Sequence, residues 1–423
     1  MDTVKILQPP TGGIIQAIPS KSAAHRLLIA GFLSGLDITD SCKGLSDDIT
    51  ATGRCLAELR RAGWLGGGKA LGRDGESDGA VEDATKSCKL DCGESGSTLR
   101  FLMPLAGALG IESDFVCEGR LTDRPMEPYL EVLATHGCTV EGHNPKHLSG
   151  QLTAGTFMLP GSISSQFITG LLAALPILKG DSKLIITGRV QSRPYVDLTM
   201  QILGAAGIKI TEEKNEDNSE AYSTFYIKGG QNYALPADAL NNMEGDWSAA
   251  AFWIVMDAMI EGHISVDGLD PKSVQGDKEI VSVMDILFPE GGAAVVDVAN
   301  TPDLGPALAV LACARPAGSV TRITGAGRLR YKESDRLHAV CEVLSGLGAR
   351  IEEGEDHLTI IAKGKLTGGE ADSFGDHRIA MMAAAAACIA EGPVTITNAG
   401  VVSKSYPNFY EDYQKLGGKL QWL

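Results

Sequence analysis

Residues 19–28 read PSKSAAHRLL, with Lys21 and Arg26 at the opening of an apolar helical pattern. A helix N-terminus presents unpaired N–H groups and the positive end of the backbone dipole, so cations there are unfavourable unless an anion joins them. Two readings stay open for this stretch alone. Either an anion binds, or Lys21 is a solvated loop residue and Arg26 pairs with a distant carboxylate. A second stretch, RLRYKESDR at 328–336, sets Glu333 among cations. Lys332 and Arg336 are four residues apart, and the spacing predicts one helix face presenting both, with Glu333 beside them. A pure anion binder gains nothing from a carboxylate next to its ligand, whereas a proton-transfer catalyst does, and Asp303 in NTPDLG offers a second carboxyl group. The bland alternative is that Glu333 only pairs with Lys332 or Arg336.

The elements that must position these residues form a repeat. Six glycine loops, beginning at Lys43, Glu118, Thr187, Asp267, Ala326 and Ala399, each lead into an amphipathic helix. They recur about 60 to 80 residues apart, longer than an ordinary solenoid period. Between them lie segments that are apolar all round, such as SKSAAHRLLIAGFL, SGSTLRFLMPLAGAL and GDHRIAMMAAAAACIA, and a helix of that kind is buried. Each unit therefore has one interior and one exterior helix with strands between. Three units fall on each side of about residue 236. The expected domains are 14–236 and a discontinuous 1–13 with 237–423, because the strand VKIL has no complete unit of its own and can pair with the second half. Two crossings, near Gly12 to Ile18 and Tyr233 to Gly245, make a hinge, and the ligand site is expected in the cleft between the domains.

The polar residues fall at matching places in the repeat. Lys21, Ser22 and Arg26 open the first interior helix, Gly96 and Ser97 the second, Ser164, Ser165 and Gln166 the third, Asp303 the fifth, and Asp376, His377 and Arg378 the sixth. Arg124, Ser192, Lys332 with Glu333, and Lys404 follow the glycines. Helix N-termini with hydroxyls and cations suit more than one phosphate or carboxylate; coincidental polar helix starts would not share a phase. The formal net charge of −16 over 423 residues excludes nonspecific binding to nucleic acid or an anionic membrane, so a cationic cluster is local. Nine cysteines without CxxC spacing and eight histidines without HExxH indicate neither a disulfide framework nor a metal site. No targeting or membrane-spanning pattern is present, and a cytoplasmic protein is expected.

The ordered motifs PSKSAAHR, CGESGSTLR, SISSQF, QSRPY, EGD, TPD, KESDR, GDHR and VSKSYP resemble those of the enolpyruvylshikimate-phosphate synthase family, from Lys21 to Lys404. The resemblance implies a two-domain inside-out α/β barrel, each domain three βαββαβ units around buried parallel helices. It implies transfer of the enolpyruvyl group of phosphoenolpyruvate to the 5-hydroxyl of shikimate 3-phosphate, with release of phosphate, in the shikimate pathway. No metal or organic cofactor is expected, and no partner beyond the two substrates; the chain is expected to be a monomer. Carried over by motif, Ser22, Arg26, Ser164, Ser165, Ser192, Tyr195 and Lys332 would hold shikimate 3-phosphate, with Arg328 beside it. Arg124, Arg336, Arg378 and Lys404 would hold phosphoenolpyruvate next to Gly96, where the competing inhibitor glyphosate would also lie. Lys21 and Gln166 would touch both substrates. Asp303 would accept the hydroxyl proton, Glu333 would protonate the methylene, and Lys21 would stabilise the tetrahedral intermediate. Glu94 stands where an asparagine is usual, Arg328 where some members place one, and Pro19-Ser20-Lys21 lacks a common glycine. Two alternatives remain: the sister transferase acting on UDP-N-acetylglucosamine, whose loop cysteine and asparagine after the first lysine are unmatched here, and a non-catalytic binder of phosphorylated metabolites, which has no use for the paired acids.

Overall fold

The structure is a computed structural model that describes residues 2–42, 45–63, 87–215, 222–288 and 291–423. The chain packs into two compact units, one of Met1–Ser20 with Glu244–Leu423 and one of Lys21–Met243. Both breaks lie seven residues beyond the expected 13/14 and 236/237, and local pairing explains why. Strand β2 (Gly13–Gln16) runs parallel to β11 (Ile264–Asp267), Pro19 bridges Gly245, and the Ser20 N–H donates to the Glu244 carbonyl at 2.8 Å. These bonds keep residues 14–20 with the first unit. Residues 237–243 stay with the second, where Leu240 lies against Gly31.

Among the described residues, six helices are buried along nearly their whole length: α1 (Lys21–Leu33), α3 (Gly96–Leu109), α5 (Ser165–Ala174), α7 (Trp247–Asp257), α9 (Gly305–Ala314) and α11 (His377–Ala386). They are the six apolar segments of the sequence, three in each unit, and their many alanines and glycines permit close packing. Side-chain caps fix where four of them begin: Ser95, Ser164, Asp246 and Asp376 each accept a bond from an N–H of the first turn. The exterior helices α2 (Asp47–Arg61), α4 (Tyr129–Thr135), α6 (Arg193–Ala205), α8 (Ile280–Leu287), α10 (Arg336–Gly346) and α12 (Phe409–Lys415) bury one face. Lys43, where the first glycine loop was placed, lies outside the described residues.

Four sheets share one topology. The second unit holds β3 (Ser87–Gly93), β4 (Glu112–Cys117), β5 (Cys138–Glu141) and β6 (Lys146–Gly150) in the order β3-β4-β6-β5. It also holds β7 (Thr156–Pro160), β8 (Ser182–Thr187), β9 (Ile210–Asn215) and β10 (Tyr222–Ile227) in the order β7-β8-β10-β9. The first unit repeats this with β12 (Ala293–Asp297), β13 (Val320–Thr324), β14 (Arg350–Glu353) and β15 (Leu358–Ile361) in the order β12-β13-β15-β14. In each, the strands flanking an interior helix are parallel, because the helix carries the chain back across the sheet, and the last two strands form an antiparallel pair. The order within a unit is thus βαβαββ and not the expected βαββαβ: a single strand separates interior from exterior helix, and the hairpin follows the exterior one.

The last sheet is completed from the other end of the chain. Its order is β16 (Gly369–Asp372), β17 (Val394–Thr397), β1 (Val4–Gln8), β18 (Lys419–Trp422), and β1 is antiparallel to both neighbours. The N-terminal strand therefore fills the place that β6, β10 and β15 hold in the other three sheets.

Candidate active site

In the first unit, four loops bring cations and carboxylates together. Asp303 lies in a 3-10 turn, Pro302–Leu304, directly before α9, and its carboxylate accepts from Lys332 Nζ at 3.2 Å, Arg336 Nη1 at 2.9 Å and Arg378 Nη2 at 3.1 Å. Glu333 accepts from Arg336 Nη2 at 2.6 Å. Asp376 accepts from Arg336 Nε at 2.8 Å and Nη2 at 3.1 Å, from Ser334 Oγ at 3.0 Å and from the Arg378 N–H at 2.9 Å. Lys404, at the end of the 3-10 turn Ala399–Lys404, donates to the Gly375 carbonyl at 2.8 Å. Arg328 is half-buried in the turn Gly327–Tyr331 that precedes Lys332.

The expectation that Lys332 and Glu333 share a helix face with Arg336 does not hold. Asp335 caps α10, and the helix begins at Arg336, so Lys332 and Glu333 lie in the loop before it. Backbone freedom in that loop lets Lys332 reach Asp303 while Glu333 turns back to the helix's first residue.

Electrostatics follow the geometry. Burial alone would raise the Asp303 carboxyl, but Arg378, Lys332 and Arg336 outweigh it and hold it well below the usual carboxylate range. Burial, opposed by Asp303, lowers the Lys332 ammonium. A further carboxyl group, Asp277, takes a hydrogen bond from Ser248 Oγ and is pushed up to about 6 by burial, with the Asp303 charge adding and Arg378 opposing.

In the second unit, Lys21 is the first residue of α1 and forms an ion pair with Asp48 of α2 at 2.8 Å. Arg26, one turn on, has no carboxylate partner among the described residues. It donates to Thr199 Oγ1 at 2.8 Å, Thr169 Oγ1 at 3.1 Å, the Tyr195 carbonyl at 3.0 Å and the Ser22 carbonyl at 2.6 Å. Those bonds commit four of its five N–H groups, and burial lowers it to about 9. Arg26 thus fixes the backbone at two other expected site residues, Ser22 and Tyr195. His25 beside it bonds through Nδ1 to Thr52 Oγ1, which meets Thr98 Oγ1, which donates to Ser95 Oγ. Burial first, then Lys21 and Arg26, lowers His25 well below its ordinary value, so it is neutral.

Ser164 caps α5, accepting from the Gln166 N–H at 3.3 Å, and Ser165 is the helix's first residue. Gln166 accepts from Arg100 Nη1 at 2.6 Å and donates to Ser97 Oγ at 3.0 Å. Ser192, buried before α6, holds a left-handed φ of 54° that a side chain rarely adopts. Gly96 opens α3 where a Cβ would lie 2.9 Å from Arg124 Nη1 and 3.0 Å from Arg100 Nη1. The Nε of Arg124 is buried with no hydrogen-bond partner among the described residues.

The expected residues therefore gather as two sets. Asp303, Arg328, Lys332, Glu333, Arg336, Arg378 and Lys404 belong to the first unit, and Lys21, Ser22, Arg26, Gly96, Arg124, Ser164, Ser165, Gln166, Ser192 and Tyr195 to the second. Sequence reasoning missed Asp48, Arg100 and the structural weight of Asp376. Arg100 was visible as the lone charge within the apolar run STLRFLM.

Comparison with known proteins places these loops in context. The model of the family described as EPSP synthase (3-phosphoshikimate 1-carboxyvinyltransferase) matches residues 8–413. The 3-phosphoshikimate 1-carboxyvinyltransferases of Clostridium kluyveri and Clostridioides difficile are 39% and 38% identical to the chain, over 100% of it and 99% of each relative. The EPSP synthase structure from Acinetobacter baumannii shares the fold, with a TM-score of 0.72 at 21% identity over 100% of both chains. With a match spanning the whole site and nearly the whole length, the chain belongs to the EPSP synthase family.

Proposed function

We propose that the chain transfers the enolpyruvyl group of phosphoenolpyruvate to the 5-hydroxyl of shikimate 3-phosphate and releases phosphate. The observation that carries this reading is Asp303 held by Lys332, Arg336 and Arg378, with Glu333 on the same guanidinium: paired acids among cations suit proton transfer on an anionic substrate. Glu333 protonates the donor's methylene carbon, the acceptor oxygen attacks the adjacent carbon, and Asp303 takes the hydroxyl proton. The Glu333 carboxylate then takes a proton back from the new methyl group as the carbon–oxygen bond to phosphate breaks and the double bond returns, and the proton held by Asp303 leaves with the phosphate. Lys21 stabilises the tetrahedral intermediate electrostatically.

Arg124, Arg336, Arg378 and Lys404 bind the donor beside Gly96, and the unpartnered Arg124 Nε supports an anion there, since a buried donor without an acceptor is costly. Ser22, Ser164, Ser165, Ser192, Tyr195, Arg328 and Lys332 bind the acceptor, with Gln166 and Lys21 touching both substrates. Arg26 holds the acceptor as well, and its bonds to the Ser22 and Tyr195 carbonyls fix the backbone at two residues beside it. A coupled phosphate-release assay tests the reading: activity with phosphoenolpyruvate and shikimate 3-phosphate is expected. Activity only with UDP-N-acetylglucosamine, or with neither acceptor, would overturn it.

A further inference from the structure

Arg336 is the cation that KESDR offers to a ligand's anionic group, yet only 1% of its side chain is exposed. Its guanidinium is divided among three carboxylates. Asp376 takes Nε and one Nη2 hydrogen, Asp303 takes Nη1 and Glu333 takes Nη2. The three differ in burial and in restraint. Asp376 is fully buried and is tied by Ser334 Oγ and the Arg378 N–H as well as by Arg336, so it is a fixed anchor on the closed side of the guanidinium. Asp303 and Glu333, at 18% and 17% exposure, stand on the side open to solvent. Asp303 also covers Lys332 Nζ and Arg378 Nη2. An approaching anion thus meets two like charges before it meets the arginine, and it cannot bond to Arg336 through the N–H groups those carboxylates hold.

We propose that Asp303 and Glu333 occupy in advance the N–H groups that a ligand's phosphate or carboxylate takes, and that the ligand displaces them while Asp376 keeps Arg336 in place. The carboxylates then set the affinity of the anion site from inside it. A second consequence rests on the transferase reading given above. Once the ligand's charge has taken over the cations, Asp303 loses the groups that hold it ionised and becomes a stronger base, so the acceptor proton is drawn only after the donor has arrived.

Inorganic phosphate alone is the probe, titrated calorimetrically into the full chain at low ionic strength. Hydrogen bonds to charged groups are strong enough that Asp303→Asn is expected to bind phosphate about tenfold more tightly than the parent. Glu333→Gln, which removes the competitor for one N–H group, is expected to tighten binding about threefold on the same grounds. Asp376→Asn, which loosens the anchor, is expected to weaken it about tenfold. Phosphate affinity that is unchanged or weaker in Asp303→Asn overturns displacement, and unchanged affinity in Asp376→Asn overturns the anchor. Unfolding temperatures identify a variant that has not folded, and Glu333→Gln then decides displacement by the same criterion. Failure of the transferase reading looks different: the parent would release no phosphate from the two substrates, while the order of phosphate affinities would stand.

Discussion

The arginines among the expected site residues are held differently in the two units. In the first, Arg336 and Arg378 are held by carboxylates, and the neighbouring Asp277 keeps its proton up to about pH 6. In the second, Arg26 is held by threonine hydroxyls and carbonyl oxygens, and His25 is a neutral member of a hydroxyl chain. Carboxylates titrate and can trade partners with an incoming anion, whereas hydroxyls and carbonyls do neither. On the reading proposed above, the set around Arg336 is suited to moving protons and the set around Arg26 to holding a shape.

The largest test of this contrast is removal of the acids. Asp303→Asn and Glu333→Gln are each expected to lower turnover by about a hundredfold or more, with acceptor affinity within a few-fold, measured by single-turnover kinetics and acceptor binding. Near-normal turnover in either variant would remove the division of labour.

The next concerns pH. Asp277 is raised from the ordinary carboxylate range to about 6, so the folded protein holds that proton more tightly than the unfolded chain. Its contribution becomes unfavourable as pH rises from about 4 to about 6 and is fully so above that range. Asp303 is shifted downward, so its stabilising contribution is present above the ordinary carboxylate range and is lost as pH falls below it. Asp277→Asn is expected to gain about 1 to 3 kcal/mol relative to the parent at pH 8 that it does not gain at pH 4, read from denaturant unfolding at both values. An equal change at the two pH values would show that Asp277 does not titrate in this window.

In the second unit, Thr169→Val removes one hydroxyl from Arg26 and leaves a buried N–H unmet, at a cost of about 1 to 2 kcal/mol. Because Arg26 at about 9 and the neutral His25 do not change charge appreciably in this window, the loss is expected to be the same at pH 6 and pH 7.5. A pH-dependent loss would break the comparison. The smallest expected effect is at Gly96. A methyl group there meets Arg124 and Arg100 at the ends of flexible side chains, which shift instead of blocking the fold. Gly96→Ala is expected to weaken inhibition by glyphosate about tenfold, equivalent to about 1.4 kcal/mol, and to raise the Michaelis constant for phosphoenolpyruvate less. Equal changes in the two constants would detach Gly96 from the donor.

What could be read in the sequence follows the same physical division. The six interior helices were legible because an all-apolar run such as AMMAAAAACIA has no soluble alternative to burial. The acids and cations of the first unit were legible as a mixed-charge motif with no reason to exist on a plain surface. The partners of Arg26 were not, because Thr169 and Thr199 lie on helices far along the chain and an isolated threonine carries no signal. The loop before α10 was misread from i,i+4 spacing, although Asp335 followed by Arg336 is a recognisable cap and start. The order of strands was also misread: one strand and a hairpin look alike in a run of short β segments until their partners are known.

The place of β1 between β17 and β18 has a consequence for synthesis. The second unit is one continuous stretch, complete once residue 243 has emerged, whereas β1 is made before it and waits for β17 and β18, which are made after it. Along a nascent chain, the second unit can fold early, and the first is closed only once β17 and β18 have been made. Chains halted near residue 250 are expected to resist protease at the described helices and strands of the second unit while β1 and β2 are cut, so that a prematurely ended product carries an exposed strand edge and no assembled set of acids.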